Sequence, residues 1–212
     1  MDQVGFERVQ MVVRTMAQTA VDNEKYFGDL DAVVGDGDFG YSLARGFEIV
    51  LADWDDLDRT DAATFLTKVA IIITSRIGGT SGPIWGTAML RAGSNMKGAE
   101  SIGAAETVAA LRAGIEGIKM RGNSDVGDKT LLDSLVPAVD VLEERLQAGD
   151  DGPQALARAA ETARASAEAT TTMLAKRGRA SYTGERSIGS PDAGAMGVAT
   201  MFERLAAEWP EA

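Results

Sequence analysis

The chain has 212 residues, a formal net charge of −11 and an apolar fraction of 45%, which suffices for one substantial hydrophobic core. It has no cysteine and no histidine, so disulfides, zinc–thiolate sites, cysteine nucleophiles and Ser-His-Asp catalysis are excluded. The acidic balance argues against a general nucleic-acid binder, because phosphate contacts need a basic surface. No segment has the length of a membrane span and the N-terminus does not resemble a signal peptide, so we expect a cytoplasmic protein.

Apolar residues recur at helical spacing in six stretches, which predicts amphipathic helices. The stretches are 9–20, 43–51, 65–72, 108–118, 131–142 and 198–205. Two more helices are predicted for "SGPIWGTAMLRAGSNM" and "PQALARAAETARASAEATTTMLAKR", each with a proline near its first turn. The run "VAIIIT" has the apolarity of a buried strand but lies between helical residues. We therefore predict an all-α fold of about eight helices, forming a single domain over residues 1–212.

Four connectors between these helices are long and rich in glycine, whereas the connections of a plain bundle are short. Functional residues concentrate in such loops. Because alternate connectors of an up-and-down bundle lie at the same end, we expect the four to meet there. They read "GDLDAVVGDGDFG", "RIGGTSGPIWGT", "MRGNSDVGDKT" and "KRGRASYTGERSIGSPDAGAMG".

The first connector concentrates three acids, Asp31, Asp36 and Asp38. Two carboxylates about 4 Å apart repel each other by roughly 4 kcal/mol at an effective dielectric of 20, so we expect a cation beside them. Oxygen ligands favour Mg²⁺ or Ca²⁺, and Mg²⁺ held by a few carboxylates completes its shell with waters and phosphate oxygens. The alternative is an N-cap for the following helix, which would explain one of the acids.

Three other motifs fit less well. "GDGDFG" has the spacing of a dinucleotide fingerprint, but its acids would face the pyrophosphate. A calcium-binding EF-hand loop needs Glu at its twelfth position, which is Phe47 when counted from Asp36. "GGTSGPIWGT" has no lysine, so it is not a Walker P-loop.

The second connector supplies groups that bind phosphate. Glycines such as Gly79 let backbone amides converge, Thr80 and Ser81 add hydroxyls, and a helix begins near Pro83. By itself this could be an ordinary glycine-rich cap. Beside an acidic metal turn it predicts a site for a nucleotide and a metal ion.

The third and fourth connectors are less specific. In "GDKTLLD", Asp128 is expected to cap the next helix, and a functional contact from Lys129 or Thr130 is left open. The fourth connector places Arg177, Arg179 and Arg186 among glycines. It is either a solvated basic loop or a mobile lid whose arginine neutralises a transferring phosphoryl group.

Together these blocks resemble the nucleotide-binding L subunit of dihydroxyacetone kinases. The resemblance rests on "LDAVVGDGDFGYSLARGFE", "GGTSGPIWGT", "GDKTLLDSLVPA" and "RGRASYTGERSIGSPDAGA", which occur in the family's order between residues 30 and 195. It implies an eight-helix antiparallel barrel that binds ADP or ATP at one end through two Mg²⁺ ions. The chain also has the length expected of the free-standing subunit.

The resemblance assigns roles to residues at matching positions. It implies metal binding by Asp31, Asp36 and Asp38, phosphate contacts by Gly79, Thr80 and Ser81, assistance to transfer by Arg179, and closure of the nucleotide pocket by Asp192 and Gly194.

The chain departs from the family pattern at three places. Phe39 stands where the family usually has histidine, and Ser42 stands where it has asparagine, so a polar phosphate contact is either lost or replaced by Ser42. Ser190 stands in place of another histidine. Because of these changes, the resemblance does not fix which phosphate donor or which sugar the protein uses.

The resemblance further implies a K-type partner subunit, whose histidine holds the ketose covalently. The nucleotide would either exchange as ATP or remain bound as ADP that a phosphohistidine phosphotransferase protein recharges. A different class of function, a non-catalytic module that reports nucleotide or phosphorylation state to a regulator, is the alternative. The intact acids and Arg179 favour catalysis.

Overall fold

The computed structural model describes residues 3–210, and the regular secondary structure of these residues is entirely helical. The predicted all-α class is confirmed, and "VAIIIT" lies within a helix rather than a strand. The α-helices are α1 Gln3–Asp22, α2 Glu24–Ala32, α3 Phe39–Ala52, α4 Ala62–Arg76, α5 Ser81–Asn95, α6 Ala104–Gly122, α7 Leu132–Gln147, α8 Gly152–Ala169 and α9 Ala193–Glu208. Short 3₁₀ helices cover Trp54–Asp56, Thr170–Thr172 and Arg179–Ser187.

The described part of the chain contains one α-helix more than the eight expected, because α2, Glu24–Ala32, was not predicted. The starts predicted near the two prolines are confirmed. The helix α5 begins at Ser81, and Asp151 caps α8 by accepting a hydrogen bond from the amide of Gln154 at 2.8 Å. None of the helices in residues 3–210 is long and apolar enough to cross a membrane.

The chain divides into two compact units. The first comprises Met1–Val21 and Ser42–Gly122, and the second comprises Asp22–Tyr41 and Asn123–Ala212. The single domain expected over residues 1–212 stays a prediction.

In the first unit, α4 packs on α5 and α5 packs on α6. Its core contains the fully buried side chains of Phe47, Phe65 and Ile73. Trp54 stands edge-on to Phe65, with ring centres 5.8 Å apart. This packing holds both ends of the glycine-rich connector between α4 and α5.

In the second unit, α7 packs on α8, α8 on α9, and α2 and α7 also contact α9. Small residues allow the close approach of α8, whose buried face is Ala155, Ala159, Ala160, Ala163 and Ala167. Arg164 of α8 donates to both carboxylate oxygens of Glu203 on α9, at 2.7 and 2.6 Å. Such two-point pairing fixes the relative orientation of these helices.

Candidate functional site

The acidic turn joins α2 to α3 in the second unit. Asp31 lies in the last turn of α2, and its carbonyl accepts hydrogen bonds from the amides of Val34 at 3.1 Å and Gly35 at 2.5 Å. Gly37 has a φ of +76°, a conformation that favours glycine. The chain therefore reverses direction tightly and brings Asp36 and Asp38 back beside Asp31.

The structure brings the three predicted acids together. One carboxylate oxygen of each of Asp31, Asp36 and Asp38 lies within 4.8 Å of the others. Asp36 and Asp38 are exposed and Asp31 is half-buried. Partial desolvation and the charge of Asp31 raise the pKa of the Asp38 carboxyl above its usual value. Negative charge is thus concentrated on a turn that solvent and ligands can reach.

The helix-capping alternative accounts for one acid of the three. The amide of Phe39, the first residue of α3, donates to Asp31 at 3.4 Å. Asp36 and Asp38 instead pair with a distant residue, Arg179.

Arg179 comes from the fourth connector, directly after Gly178, whose φ is +65°. Its Nη1 atom forms an ion pair with Asp36 and lies 3.0 Å from Oδ2 of Asp38. A guanidinium group thus faces two of the three carboxylates. The acid cluster is therefore paired with a positively charged side chain of the same protein.

The donor set of this cluster fits a hard divalent cation. It offers carboxylate oxygens from three residues and no sulfur or imidazole, which suits Mg²⁺ or Ca²⁺ better than zinc or copper. Because two of the acids are exposed, water or phosphate oxygens have room to complete the shell.

The predicted phosphate-binding residues of the second connector lie in the first unit. Gly79 has a φ of +63°, Thr80 precedes α5 without forming a side-chain cap within the described residues, and Ser81 opens the helix. The N-terminal amides of α5 and the Thr80 hydroxyl are therefore available to an anion.

Ser42 lies beside this connector in the same unit. A Cβ atom placed on Gly78 would be 3.6 Å from Oγ of Ser42. Ser42 is half-buried in α3. The structure thus groups Ser42 with Gly79, Thr80 and Ser81, as expected if the four bind the same phosphate groups.

The predicted pocket residues Asp192 and Gly194 lie in the second unit, together with Thr130, for which a contact with the nucleotide is open. Asp192 caps α9 by accepting a hydrogen bond from the amide of Ala195 at 2.8 Å. A Cβ on Gly194 would be 3.4 Å from Cβ of Leu131, so the third connector lies against the start of α9. The hydroxyl of Thr130 accepts from the amide of Leu132 at 3.2 Å.

The environment of Asp192 alters its acidity. Asp192 as a residue is half-buried, but protein atoms surround its carboxyl group. Desolvation raises the pKa of Asp192 to about 6, the charge of Asp133 adds to this, and hydrogen bonds together with the positive charge of Lys129 oppose it.

The expected capping role of Asp128 is wrong. The carboxylate that organises the start of α7 is Asp133, which accepts from the amides of Gly127 at 2.5 Å and Thr130 at 2.7 Å. Asp128 instead accepts from the amide of Asp125 and pairs with Lys176 and Arg177 at 3.5 Å each. The helix α7 begins at Leu132, later than "GDKT" suggests. The side chain of Asp133, in its first turn, therefore points back to the preceding loop.

The three arginines of the fourth connector have different positions. Arg179 faces the acid cluster, while Nε of Arg177 donates to the carbonyl of Asn123 at 2.5 Å and pairs with Asp128. Arg186 is exposed. Only Arg179 is therefore placed beside the acid cluster among these three.

Sequence reasoning missed the environment of Lys129. This side chain is 2% exposed, and its ammonium group donates to backbone carbonyls of residues between α8 and α9. Lysine is rarely buried, and the sequence shows only that Lys129 lies in a connector that contains glycine.

Comparison with known proteins identifies the class to which this arrangement belongs. Residues 33–207 match the family model described as the DAK2 domain. The chain therefore belongs to the DAK2-domain family.

Several relatives, including two ADP-binding subunits, are matched over most of their own length. The chain is 37% identical to the "PEP-dependent dihydroxyacetone kinase, ADP-binding subunit DhaL" of Escherichia coli, over 86% of this chain and 87% of that protein. It is 34% identical to the "PEP-dependent dihydroxyacetone kinase 1, ADP-binding subunit DhaL" of Listeria innocua, over 87% of each chain.

Other relatives are longer. The chain is 38% identical to the L-erythrulose 1-kinase of Mycolicibacterium smegmatis, over 92% of this chain but 34% of that protein. A crystal structure of the dihydroxyacetone kinase from C. freundii, in complex with AMP-PNP and Mg²⁺, matches with a TM-score of 0.76 and 28% identity. That match covers 95% of this chain and 34% of the other.

Proposed function

We propose that this chain is a Mg²⁺- and nucleotide-binding subunit that transfers a phosphoryl group to a small ketose held by a K-type partner subunit. The observation that carries the proposal is the cluster of Asp31, Asp36 and Asp38 with Arg179 facing it. The names of the relatives support it, since they include ADP-binding subunits of dihydroxyacetone kinases and an L-erythrulose kinase.

Each group of residues has a role in this proposal. The three acids hold the metal, for which we expect two Mg²⁺ ions, and the bound metal neutralises negative charge on the phosphate chain. Ser42, Gly79, Thr80 and Ser81 bind phosphate oxygens through hydroxyls and amides. Thr130, Asp192 and Gly194 contribute to the nucleotide pocket.

Arg179 is the proposed catalytic residue. In a loose phosphoryl-transfer transition state, charge spreads over the equatorial oxygens, and a guanidinium group can donate to two of them at once. Because this chain has no histidine, we propose that the partner holds the ketose, and that any phosphohistidine donor is a separate phosphotransferase protein. Transfer then depends mainly on positioning and electrostatic stabilisation.

The first test measures binding of ADP in the presence of Mg²⁺ by calorimetry. Asp36→Ala and Asp38→Ala are expected to abolish binding while circular dichroism shows the helices intact. The matched control is Asp29→Ala, which removes an exposed acid from α2 that pairs only with Lys25 at 2.5 Å among the contacts described. Normal binding by Asp38→Ala would show that the metal assignment is wrong.

A second test separates the two modes of nucleotide use. The protein is purified in Mg²⁺, incubated with labelled ATP, denatured, and its released nucleotide identified. Retained, unlabelled ADP indicates recharging by a phosphohistidine protein, whereas labelled ATP indicates a directly ATP-dependent kinase. Release of no nucleotide, together with no binding by calorimetry, would contradict the proposed function.

A further inference from the structure

The ammonium group of Lys129 is enclosed by backbone carbonyls. Its Nζ atom donates to the carbonyl of Met173 at 3.2 Å, to that of Ser190 at 2.8 Å, and to that of Ser187. A lysine ammonium group has three N–H donors, so these contacts use its full capacity. The side chain is 2% exposed, and burial lowers the pKa of Lys129 while the charge of Asp192 opposes that shift.

The three carbonyls mark the two ends of one segment. Residues 174–186, which we call the arginine loop, run between Met173 on one side and Ser187 to Ser190 on the other, and they contain Arg179. One side chain therefore joins the entry of the loop to its exit. Two further hydrogen bonds hold the ends of the loop together. The amide of Ala175 donates to Oγ of Ser187 at 3.0 Å, and the amide of Gly189 donates to the carbonyl of Thr171 at 2.8 Å.

The backbone of Lys129 is itself held in place. Its φ is +61°, a conformation that costs energy for a residue with a side chain. Asp133 fixes the residues around it through the amides of Gly127 and Thr130, and the carbonyl of Asp128 accepts from the amide of Lys176 at 3.0 Å. The third connector is thus a rigid support on which the arginine loop rests.

A buried ammonium group contributes little net stability, because the cost of desolvation offsets much of what its hydrogen bonds contribute. Its geometry gives it a second use, since it connects a rigid support to both ends of the loop whose Arg179 meets Asp36 and Asp38. Fixing both ends limits the positions that Arg179 can reach. A displacement of about 1 Å in a transferring site can lower a rate about 100-fold.

We propose that Lys129 is a positioning residue for phosphoryl transfer, which fixes both ends of the arginine loop and so holds Arg179 at the acid cluster. This inference rests on the proposed function for its catalytic part. The anchoring of the loop can be tested without any ligand.

The first measurement is limited digestion of the folded protein with trypsin, followed by mass spectrometry. The arginine loop contains cleavage sites after Lys176, Arg177, Arg179 and Arg186. Lys129→Met is expected to increase the rate of cleavage within the loop about tenfold, because an unanchored loop opens more often. The matched control is Ser134→Ala, which removes another buried hydrogen bond of α7, to the carbonyl of Ala163 at 2.9 Å, and should leave cleavage of the loop unchanged.

The second measurement compares binding with transfer. Lys129→Met should bind Mg²⁺ and ADP within about twofold of the parent chain yet transfer phosphate about 100-fold more slowly. In an Arg179→Ala background, Lys129→Met should cost almost nothing further, because the residue that it positions is already gone. Equal losses in binding and transfer, or additive losses in the double variant, would show that Lys129 is only a general stabiliser.

A chemical rescue keeps the test decisive if Lys129→Met folds poorly. The chain has no cysteine, so aminoethylation of Lys129→Cys under denaturing conditions modifies that position alone and, after refolding, restores an ammonium group of nearly the same length. The proposal is supported if the modified protein is again cleaved as slowly as the parent chain and again transfers phosphate at the parent rate. Modified protein that refolds but keeps a rapidly cleaved loop would overturn it.

The two levels of the inference can fail separately. If the parent chain with its K-type partner transfers no phosphate, the proposed function fails, while the digestion still decides whether Lys129 anchors the loop. If transfer occurs and Lys129→Met changes neither cleavage nor rate, the proposed function survives and the positioning role is wrong.

Discussion

Nη1 of Arg179 lies 3.0 Å from Oδ2 of Asp38, although 141 positions separate the two residues in the sequence. The same guanidinium group pairs with Asp36. A residue from a distant loop thus places a positive charge beside two acids of the cluster. A divalent cation at Asp36 and Asp38 would compete with this contact, and Arg179 would then be available to a phosphate group.

Replacing Arg179 should therefore have opposite effects on metal binding and on transfer. Arg179→Ala removes a competitor for the acids, so the affinity for Mg²⁺ without nucleotide should rise by up to about fivefold, the equivalent of about 1 kcal/mol for an exposed ion pair. The transfer rate should fall roughly 1,000-fold. Metal titration by calorimetry and a coupled kinase assay measure the two effects.

Arg186→Ala is the control for this prediction, because Arg186 is exposed in the same loop. It should change neither the affinity for Mg²⁺ nor the rate. A fall in Mg²⁺ affinity in Arg179→Ala would contradict the competition between guanidinium and cation.

The acid cluster should also be sensitive to a residue that carries no charge. A Cβ on Gly35 would lie 2.8 Å from Cγ of Asp31 and 2.9 Å from its carbonyl oxygen, so Gly35→Ala must displace that carboxylate. We expect weak binding of Mg²⁺ and ADP in a helical, folded protein. Gly197→Ala serves as the control, because its new methyl group would meet nothing closer than 3.8 Å. Unchanged binding by Gly35→Ala would argue against Asp31 as a ligand.

The raised pKa of Asp192 predicts a particular dependence of stability on pH. The native carboxyl has a pKa of about 6 and the unfolded one about 3.8, so between these values the unfolded chain loses a proton that the native chain keeps. Its stabilising contribution is complete below about pH 3.8 and is lost as the pH rises through 6. The shift corresponds to at most about 3 kcal/mol, and partial exposure of the residue reduces this.

Asp192→Asn removes this titration and keeps a good helix N-cap. Urea unfolding of both chains from pH 4 to pH 7 should show the variant gaining stability relative to the parent by on the order of 2 kcal/mol. Acids that do not interact with Asp192 titrate equally in both chains and cancel. A stability difference that is the same at every pH would show that Asp192 has an ordinary pKa.

Two buried serines next to the arginine loop should respond differently to the same change. Oγ of Ser190 is buried and makes no hydrogen bond to the residues that the structure describes, whereas Oγ of Ser187 accepts from Ala175 and donates to the carbonyl of Gly184 at 2.7 Å. Ser190→Ala should leave the free energy of unfolding unchanged or raise it by about 1 kcal/mol, since an unpaired buried hydroxyl is costly. Ser187→Ala should lower it by about 1–3 kcal/mol. Denaturant unfolding compares them, and a larger loss in Ser190→Ala would reverse the interpretation.

Much of the fold followed from local patterns. Helical spacing of apolar residues predicted the all-α class, and the prolines near positions 83 and 153 marked the starts of α5 and α8. The helix α2 was not predicted, because it has nine residues with Phe27 alone buried and so shows no helical repeat of apolar residues. Asp128 was mistaken for a cap because the sequence does not show that Asp133 turns back toward the loop.

The grouping of the acids could be predicted because they are close in sequence and charge repulsion demands a partner. The environment of Lys129 could not, because its three carbonyl partners lie 44 to 61 positions away and a backbone carbonyl carries no residue-specific signal. Contacts between a side chain and a distant backbone are the least visible to pattern reasoning, and here they support the proposed catalytic arginine.

The anchored ends of the arginine loop have a consequence for how this protein can change. Because Lys129 and Thr171, which bind both ends, lie outside the loop, the residues between the anchors can be exchanged without altering the helices that carry it. The sequence of the loop can therefore vary while the residues that anchor it stay the same. Grafting the corresponding stretch of a related kinase onto this chain, with Arg179 retained, should therefore leave the surrounding helices folded.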